Sequence, residues 1–206
     1  MEHTPPSLSA RTKLLGAALK LVRERGYEAT TVDGLCREAG VTKGAFFHHF
    51  ASKEALAVAS TAFWTEVTGR AFAQAPYHGL EDPLDQLIGY VEFRRQLLDG
   101  RTLAQATCLL GTLAQEQFVS HPAIRDACFA GIQVHALEVE ALVTAAKARH
   151  APSAIWSAES LALHTQSVIQ GAFVLAKAKN DLAMAAEMIL HLRRYIELLF
   201  NHGQED

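Results

Sequence analysis

The spacing of apolar residues along this chain is helical almost from end to end. Apolar positions recur at intervals of three and four residues, and the strict alternation that is typical of a β-strand occurs nowhere. We therefore predict an all-α fold of about nine helices. Near the N-terminus the pattern predicts one helix that begins after Ser9 and ends at Gly26, followed by two short helices at about residues 31–39 and 42–49.

Longer helical patterns fill the rest of the chain. One helix has a clear start signal, with Asp82 as its N-cap and Pro83 in its first turn. The last two helices, at about residues 157–179 and 182–202, are joined by a very short connection, so we expect them to be antiparallel neighbours. Three further helices are expected. One begins near Ser52, one covers residues 103–118, and one runs from Pro122 to about Arg149.

The composition is that of a folded, water-soluble chain. It has 206 residues, of which 50% are hydrophobic and 20% are charged, enough apolar material for a sizeable core. The three cysteines, Cys36, Cys108 and Cys128, form no CxxC pair, and the N-terminal residues do not resemble a secretory signal, so we expect a reducing, cytoplasmic location. The most apolar late stretch, residues 161–176, is interrupted by polar residues, and we predict no membrane span.

The charge is divided unevenly along the chain. The formal net charge is −3, which on its own argues against a nucleic-acid partner. Residues 1–60, however, carry eight basic and six acidic side chains, a net of +2, whereas the remainder carries 11 basic and 16 acidic ones, a net of −5. A mildly basic front and an acidic body are compatible with DNA binding by the front alone.

The two short helices near the N-terminus have the spacing of a helix-turn-helix, which we place at about residues 31–50. They are joined by a turn at Gly40 and Val41, and in such a motif the second helix enters the major groove of DNA. Spacing alone does not distinguish this motif from a turn in any compact helical protein. Its apolar residues Val32, Leu35, Ala39, Phe46 and Phe50 are predicted to form the core of a three-helix head.

The residues of this segment are more specific than their spacing. The string TTVDGLCREAGVTKGAFFHHFASKEAL, residues 30–56, resembles the N-terminal DNA-binding region of the TetR family of bacterial transcriptional regulators. The close resemblance covers residues 10–57, and a looser one continues into the last two helices. It implies a DNA-binding domain over residues 1–55 and a helical ligand-binding and dimerisation domain over residues 56–206.

The resemblance and the chemistry of the residues together give a predicted set of DNA contacts. Hydroxyl and free backbone N–H groups at helix N-termini favour a phosphate, and lysines supply positive charge. Phe47 departs from the tyrosine that many family members carry, so we expect it to contact a thymine methyl group or a sugar. Arg37 and Lys53 are alternatively ordinary solvated charges. The set is Thr31, Arg37, Thr42, Lys43, Gly44, Phe47, His48 and Lys53.

For the body, the resemblance implies a homodimer in which the helices at about residues 157–179 and 182–202 form a four-helix bundle with those of a second subunit. Such a dimer reads a palindromic double-stranded operator, and a small-molecule inducer bound between body helices releases it. Each predicted pocket residue is alternatively an ordinary core residue. The predicted pocket residues are Phe63, Trp64, Tyr90, Phe93, Cys108, Phe118, His135, Trp156 and His164.

Cys108 has a second interpretation. The segment CLLGTLAQE, residues 108–116, resembles a branch of the family that includes electrophile and oxidant sensors. A reactive thiol requires a lowered pKa, and the alternative is a thiol buried as a small apolar group. The sequence leaves both open.

Other functions stay open at the level of sequence. An all-α enzyme using Cys108 as nucleophile, with His121 or His135 as its base, lacks an evident third, orienting residue. A TetR-like activator would have the same residues as a repressor. We expect no cofactor and no metal, because the ten histidines show no metal-site spacing. The prediction is a ligand-responsive repressor that is not an enzyme.

Overall fold

The computed structural model describes residues 8–201, so the predicted end of the last helix at residue 202 lies outside the described residues. These residues form α-helices and one short 3-10 helix, with no strand among them, which confirms the all-α prediction. The elements are α1 (Ala10–Arg25), α2 (Val32–Ala39), α3 (Lys43–His49), α4 (Lys53–Ala73), the 3-10 helix (Pro76–Gly79), α5 (Pro83–Gln96), α6 (Leu103–Ala106), α7 (Leu109–Gln117), α8 (Pro122–His150), α9 (Ala158–Lys179) and α10 (Leu182–Asn201).

Side-chain caps fix where the early helices begin. The hydroxyl oxygens of Ser9, Thr31 and Thr42 each accept a backbone N–H from three residues further on, at the starts of α1, α2 and α3. Helix α2 ends at Gly40 in the left-handed conformation, with φ of 63°, a region that favours glycine. Local chemistry therefore sets the bounds of the helix-turn-helix.

The single helix predicted over residues 103–118 is wrong, because the structure has two helices there. Helix α6 is one short turn, closed by a capping box in which Thr102 and Gln105 hydrogen-bond each other's backbone. Thr107 is then extended, with ψ of 151°, and its side chain is buried. The apolar spacing continues across this break, so the pattern alone does not reveal it.

The chain divides into two compact units. The first contains the residues up to Trp64 together with Leu109–Phe129, and the second contains Thr65–Cys108 together with the residues from Ala130 onward. Helix α7 packs against α1 and belongs to the first unit.

The first unit has the apolar core expected of a three-helix head. Leu35, Phe46 and Phe50 are buried, and Val32 and Ala39 pack against them as partly buried neighbours. This confirms the core predicted for the helix-turn-helix. The remaining buried members of the cluster are Leu14, Leu15, Ala17, Ala18, Leu21, Cys36 and Leu56.

The second unit is organised around the antiparallel pair α9 and α10. They are joined at Asn180, which takes the left-handed conformation with φ of 55°, and α10 also packs on α5. The buried faces of the pair include Ile169 and Phe173 on α9 and Ile189 and Ile196 on α10. The expected antiparallel arrangement of the last two helices is thus confirmed for their described residues.

Helix α8 is the one described helix that is long and apolar enough to cross a membrane by length and composition. This is weak support for a span, since core helices of water-soluble proteins pass the same test. Val139, Val143 and Ala146 of α8 are fully buried in the core of the second unit. Packing within the unit covers only part of the apolar surface of α8, since Val134 and Leu137 of the same helix are exposed.

Candidate functional site

The exposed face of α3 carries the candidate DNA-binding residues. Phe46 points into the core, whereas Lys43, Phe47 and His48 are exposed, and the large apolar side chain of Phe47 is 53% exposed. An exposed phenylalanine on a short helix has no role in the core of this unit. The second helix of the motif therefore presents a surface of mixed basic and apolar character.

Lys43 is held by a carboxylate on the neighbouring helix. Its Nζ lies 3.0 Å from Oδ1 of Asp33, and both side chains are well exposed. A pair in this position is screened by water and contributes little to stability. The contact places the ammonium group beside the first turn of α2, where it can exchange Asp33 for another anion.

Gly44 is not required by the packing of the head. A Cβ atom built on it meets only Oγ1 of Thr42, at 3.8 Å, an ordinary contact, and its φ is not positive. Glycine lowers the stability of a helix relative to alanine. Its presence in the seven-residue α3 is therefore unexplained by the fold and is consistent with close approach of an external surface.

Lys53 differs from the other predicted contacts. Its Nζ donates a hydrogen bond to the carbonyl oxygen of Tyr27 at 3.1 Å and lies 4.0 Å from the centre of the Tyr27 ring. The ammonium group thus has partners within the first unit. The remaining predicted contacts, Thr31, Arg37 and Thr42, are exposed, although the two threonine hydroxyls also serve as helix caps.

A glutamate on α7 binds the turn between α1 and α2. The backbone N–H groups of Tyr27 and Glu28 donate to the two carboxylate oxygens of Glu116, at 2.6 and 2.9 Å. Gly26 has φ of 86°, and a Cβ there would lie 2.9 Å from Glu116. Next to it, Gln117 is fully buried and donates to the carboxylate of Glu28. Sequence reasoning missed this contact between residues about ninety positions apart.

Tyr27 is the centre of a small polar cluster in the same unit. The ring of His121 packs edge-on against it, and Nδ1 of His121 lies 3.4 Å from Glu54. Burial, with the nearby carboxylates of Glu54, Glu28 and Glu116, raises the pKa of Tyr27 to about 12. His121 therefore has a structural partner in the first unit, whereas Cys108 belongs to the second.

Three of the predicted pocket residues belong to the first unit. Phe63 packs against the core of the head, and the guanidinium of Arg23 lies 4.9 Å from the ring centre of Trp64. Phe118, at the end of α7, is 58% exposed. These contacts of Phe63 and Trp64 lie within the first unit, which also contains the helix-turn-helix.

In the second unit, three predicted pocket residues come together. Tyr90 and Phe93 of α5 and His135 of α8 surround the buried ring of Phe72, with ring centres 5.8, 5.4 and 4.6 Å from it. Tyr77 packs edge-on against Tyr90. This aromatic cluster is defined here as Phe72, Tyr77, Tyr90, Phe93 and His135. Sequence analysis missed Phe72 and Tyr77, which lie at the end of α4 and in the 3-10 helix.

A chain of hydrogen bonds runs through the aromatic cluster. Nδ1 of His135 is 3.1 Å from the carboxylate of Glu138, Nε2 is 3.0 Å from the Tyr90 hydroxyl, and Gln166 donates to that hydroxyl at 3.4 Å. Burial lowers the pKa of His135, and Arg94 lowers it further, against the opposing effect of Glu138. The neutral imidazole then donates to Glu138 and accepts from Tyr90.

The other predicted pocket residues lie apart from this cluster. Trp156 packs edge-on against Phe200, with the ammonium of Lys147 5.0 Å from its ring centre. His164 is exposed on α9, where its ring faces Tyr195 of α10. Cys108 is partly buried, and no disulfide joins the three cysteines, all of which are described. Among residues 8–201 no group of histidine, cysteine and carboxylate side chains has a metal-binding arrangement.

Fold and exposed residues together define the class of this protein: an N-terminal helix-turn-helix head followed by a larger helical body. Residues 14–59 match the family model described as bacterial regulatory proteins, tetR family. The solved structure of a TetR transcriptional regulator from Chloroflexus aurantiacus J-10-FL superposes with a TM-score of 0.77, at 25% identity, covering 91% of this chain and 94% of that one. The chain is thus similar to bacterial regulatory proteins of the tetR family, in sequence over residues 14–59 and in fold over most of its length.

Two curated relatives are named as regulators of transcription. The transcriptional regulator AcuR of Cereibacter sphaeroides is 30% identical over 112 residues, which cover 54% of this chain and 51% of AcuR. The HTH-type transcriptional repressor KstR2 of Rhodococcus jostii is 48% identical over 55 residues, 27% of each chain. The matched part of this chain thus spans about half the length of one relative and about a quarter of the other.

Proposed function

We propose that this protein is a DNA-binding transcriptional regulator, a repressor that leaves its operator when a small molecule binds its body. One observation carries the proposal: α3 exposes Lys43, Phe47 and His48 beside a glycine that the fold does not need. A basic and apolar helix face of this kind fits the major groove, where phosphates and thymine methyl groups are within reach. The match of residues 14–59 to the model of the tetR family of bacterial regulatory proteins supports the same function.

The proposed contacts divide into two groups. Seven of them are exposed on the head: Thr31, Arg37, Thr42, Lys43, Gly44, Phe47 and His48. Lys53 adds positive charge at the start of α4, but its ammonium must leave the Tyr27 carbonyl to reach a phosphate. We therefore assign the larger effect on DNA affinity to Lys43.

The test is a mobility shift with the DNA upstream of the protein's own gene. Wild-type protein is expected to retard this fragment at low salt, and Lys43→Ala to weaken the shift while the circular dichroism spectrum is unchanged. Arg101→Ala is the matched control, since it removes one exposed positive charge outside the head unit. A folded wild-type protein that gives no shift contradicts the proposal.

We further propose that α9 and α10 form a homodimer interface. Along α9 an uncharged exposed stripe runs through Ser160, His164, Ser167, Gly171 and Val174. On α10, Tyr195 and Leu198 are also exposed. A helix face without charge, with exposed apolar side chains on it and on the neighbouring helix, is typical of a surface that is covered by a second subunit.

Sedimentation velocity tests the dimer. Val174→Glu places a charge in the stripe and is expected to give a monomer, whereas Gln74→Glu, exposed at the end of α4, leaves a dimer. A dimer that survives Val174→Glu contradicts this interface. If the dimer forms as proposed, its two helix-turn-helix heads would read half-sites about 34–36 Å apart, one turn of DNA.

The location and the non-enzymatic nature of the protein are part of the same proposal. A regulator of transcription works where the bacterial chromosome is, so we place it in the cytoplasm. The named relatives are regulators of transcription.

A further inference from the structure

One arginine beside the aromatic cluster has no anionic partner among the described residues. The guanidinium carbon of Arg94, on α5, lies 5.2 Å from the ring centre of Phe72, and the residue is partly buried. Among residues 8–201 it makes no hydrogen bond and no ion pair. A guanidinium has five N–H donors, and donors withdrawn from bulk water normally have acceptors.

The neighbouring arginines of the same unit show what a structural arginine does here. Arg95, the next residue on α5, is 2.7 Å from Glu92. Arg193 on α10 lies 2.8 Å from Glu197 and 3.9 Å from the same Glu92. Both arginines thus pair with a carboxylate of their own helix, and Arg193 also links α10 to α5 through Glu92. Arg94 forms no such ion pair, although it lies on the same helix as Arg95.

The polar groups of the aromatic cluster are already hydrogen-bonded to one another or to Glu138 and Gln166, whereas the guanidinium of the adjacent Arg94 keeps its donors available. Tyr90 donates to the neutral His135, His135 donates to Glu138, and Gln166 donates to Tyr90. The carboxylate of Glu138 therefore accepts a hydrogen bond from His135 and forms no ion pair with Arg94. These contacts hold the aromatic wall in place, and an incoming anion finds its free N–H groups on Arg94.

We propose that Arg94 binds the carboxylate of the small molecule that regulates this protein, with the ligand's apolar part against the partly exposed ring of Phe93. This inference rests on the proposed function and specifies the chemical class of its effector. A guanidinium binds a carboxylate through two parallel hydrogen bonds, and aromatic rings supply the apolar contacts typical of a ligand site. The ligand is thus a monocarboxylic acid with a hydrocarbon portion, bound in its ionised form.

The competing account is that the guanidinium simply lies on Phe72 and is hydrated on its other side. Cation–π contact and burial of the side-chain stem by a solvated arginine are common on protein surfaces. The two accounts differ in one respect that experiment can reach. A binding arginine distinguishes a carboxylate from the neutral amide of the same shape, and a hydrated one does not.

The experiment uses the full chain and matched pairs of probes. Straight-chain carboxylates from acetate to decanoate, and benzoate, are compared with their carboxamides by calorimetry and thermal shift at constant ionic strength. At least one acid is expected to bind about tenfold or more tightly than its amide, the effect of hydrogen bonds to a charged group. Arg94→Gln is expected to abolish that preference, and Arg101→Gln, an exposed arginine of the same unit, to retain it.

The outcomes separate this inference from the proposed function. Equal binding of acids and amides, no binding of any acid, or an acid preference that survives Arg94→Gln overturns the inference. DNA binding is measured on the same preparations with the upstream fragment. A protein that binds the fragment but no acid remains a regulator without this site, whereas an Arg94-dependent acid preference without DNA binding supports the site and contradicts the regulator. Release of the bound fragment by the same acid supports both.

Discussion

Gly44 offers a substitution in which stability and DNA affinity are expected to change in opposite directions. Gly44→Ala adds a methyl group whose nearest neighbour inside the protein is Oγ1 of Thr42 at 3.8 Å. Alanine is favoured over glycine by about 1 kcal/mol in a helix interior, and we expect about 0.5 kcal/mol in the first turn of α3. The same methyl group would press on a duplex that approaches the backbone at this point.

The expected loss of DNA affinity follows from overpacking. Forcing a methyl group into a close-packed contact costs about 1–3 kcal/mol, which corresponds to about 5- to 150-fold weaker binding. Urea denaturation measures the stability, and fluorescence anisotropy with the labelled upstream fragment measures the affinity. The variant is therefore expected to be at least as stable as wild type and to bind DNA distinctly more weakly.

Gly16→Ala is the matched control for Gly44→Ala. Gly16 is exposed in the middle of α1, and a Cβ there has nothing within 4 Å. This variant is expected to gain stability in the same way and to keep wild-type DNA affinity. If Gly44→Ala binds DNA as tightly as Gly16→Ala, the duplex does not approach the backbone of α3, and our explanation of this glycine is refuted.

Three further predictions concern the rest of the chain. Glu116→Ala leaves the N–H groups of Tyr27 and Glu28 without their carboxylate and is expected to lower the unfolding free energy by about 1–2 kcal/mol, with Gln115→Ala nearly neutral in the same urea titration. Burial raises the pKa of Asp82, but the N–H of Leu84 and the contact with His150 outweigh burial and hold this pKa below its ordinary 3.8. A depressed pKa adds stability that is lost as the pH falls through it. Acid denaturation of Asp82→Asn is therefore expected to be less steep than that of the wild type, and an unchanged profile contradicts this. Iodoacetamide is expected to label Cys108 before the buried Cys36 and Cys128, and mass spectrometry with anisotropy shows whether the label changes DNA affinity; unchanged affinity excludes a thiol switch there.

The helix-turn-helix could be predicted because its determinants are local. Thr31 and Thr42 cap helices by bonding residues three positions ahead, and Gly40 ends α2 where a left-handed residue is required. Such signals are written within about ten residues of sequence, and the structure repeats them almost residue for residue. The spacing of Leu35, Phe46 and Phe50 along the sequence likewise predicts that these side chains are buried.

Contacts between distant segments could not be read in this way. A helical period shows which face of α5 or α8 is apolar, but it does not say that Tyr90 will meet His135, or that Tyr90 will also meet Gln166 of α9. The bond from Glu116 to the turn at Tyr27 joins residues about ninety positions apart and has no local signature. Arg94 looks like Arg95 in the sequence, and only the fold shows which of the two lacks a partner.

The salt dependence of DNA binding tests the central claim most directly. Anisotropy titrations of wild-type protein on the upstream fragment are measured between about 50 and 200 mM salt, a range in which each phosphate contact contributes a slope of about −0.9 to log K against log salt. We expect tight binding at the lowest salt, a linear loss of affinity, and a slope reduced by about one contact per head in Lys43→Ala. Folded wild-type protein that fails to bind at the lowest salt, or binds with no salt dependence, contradicts the account.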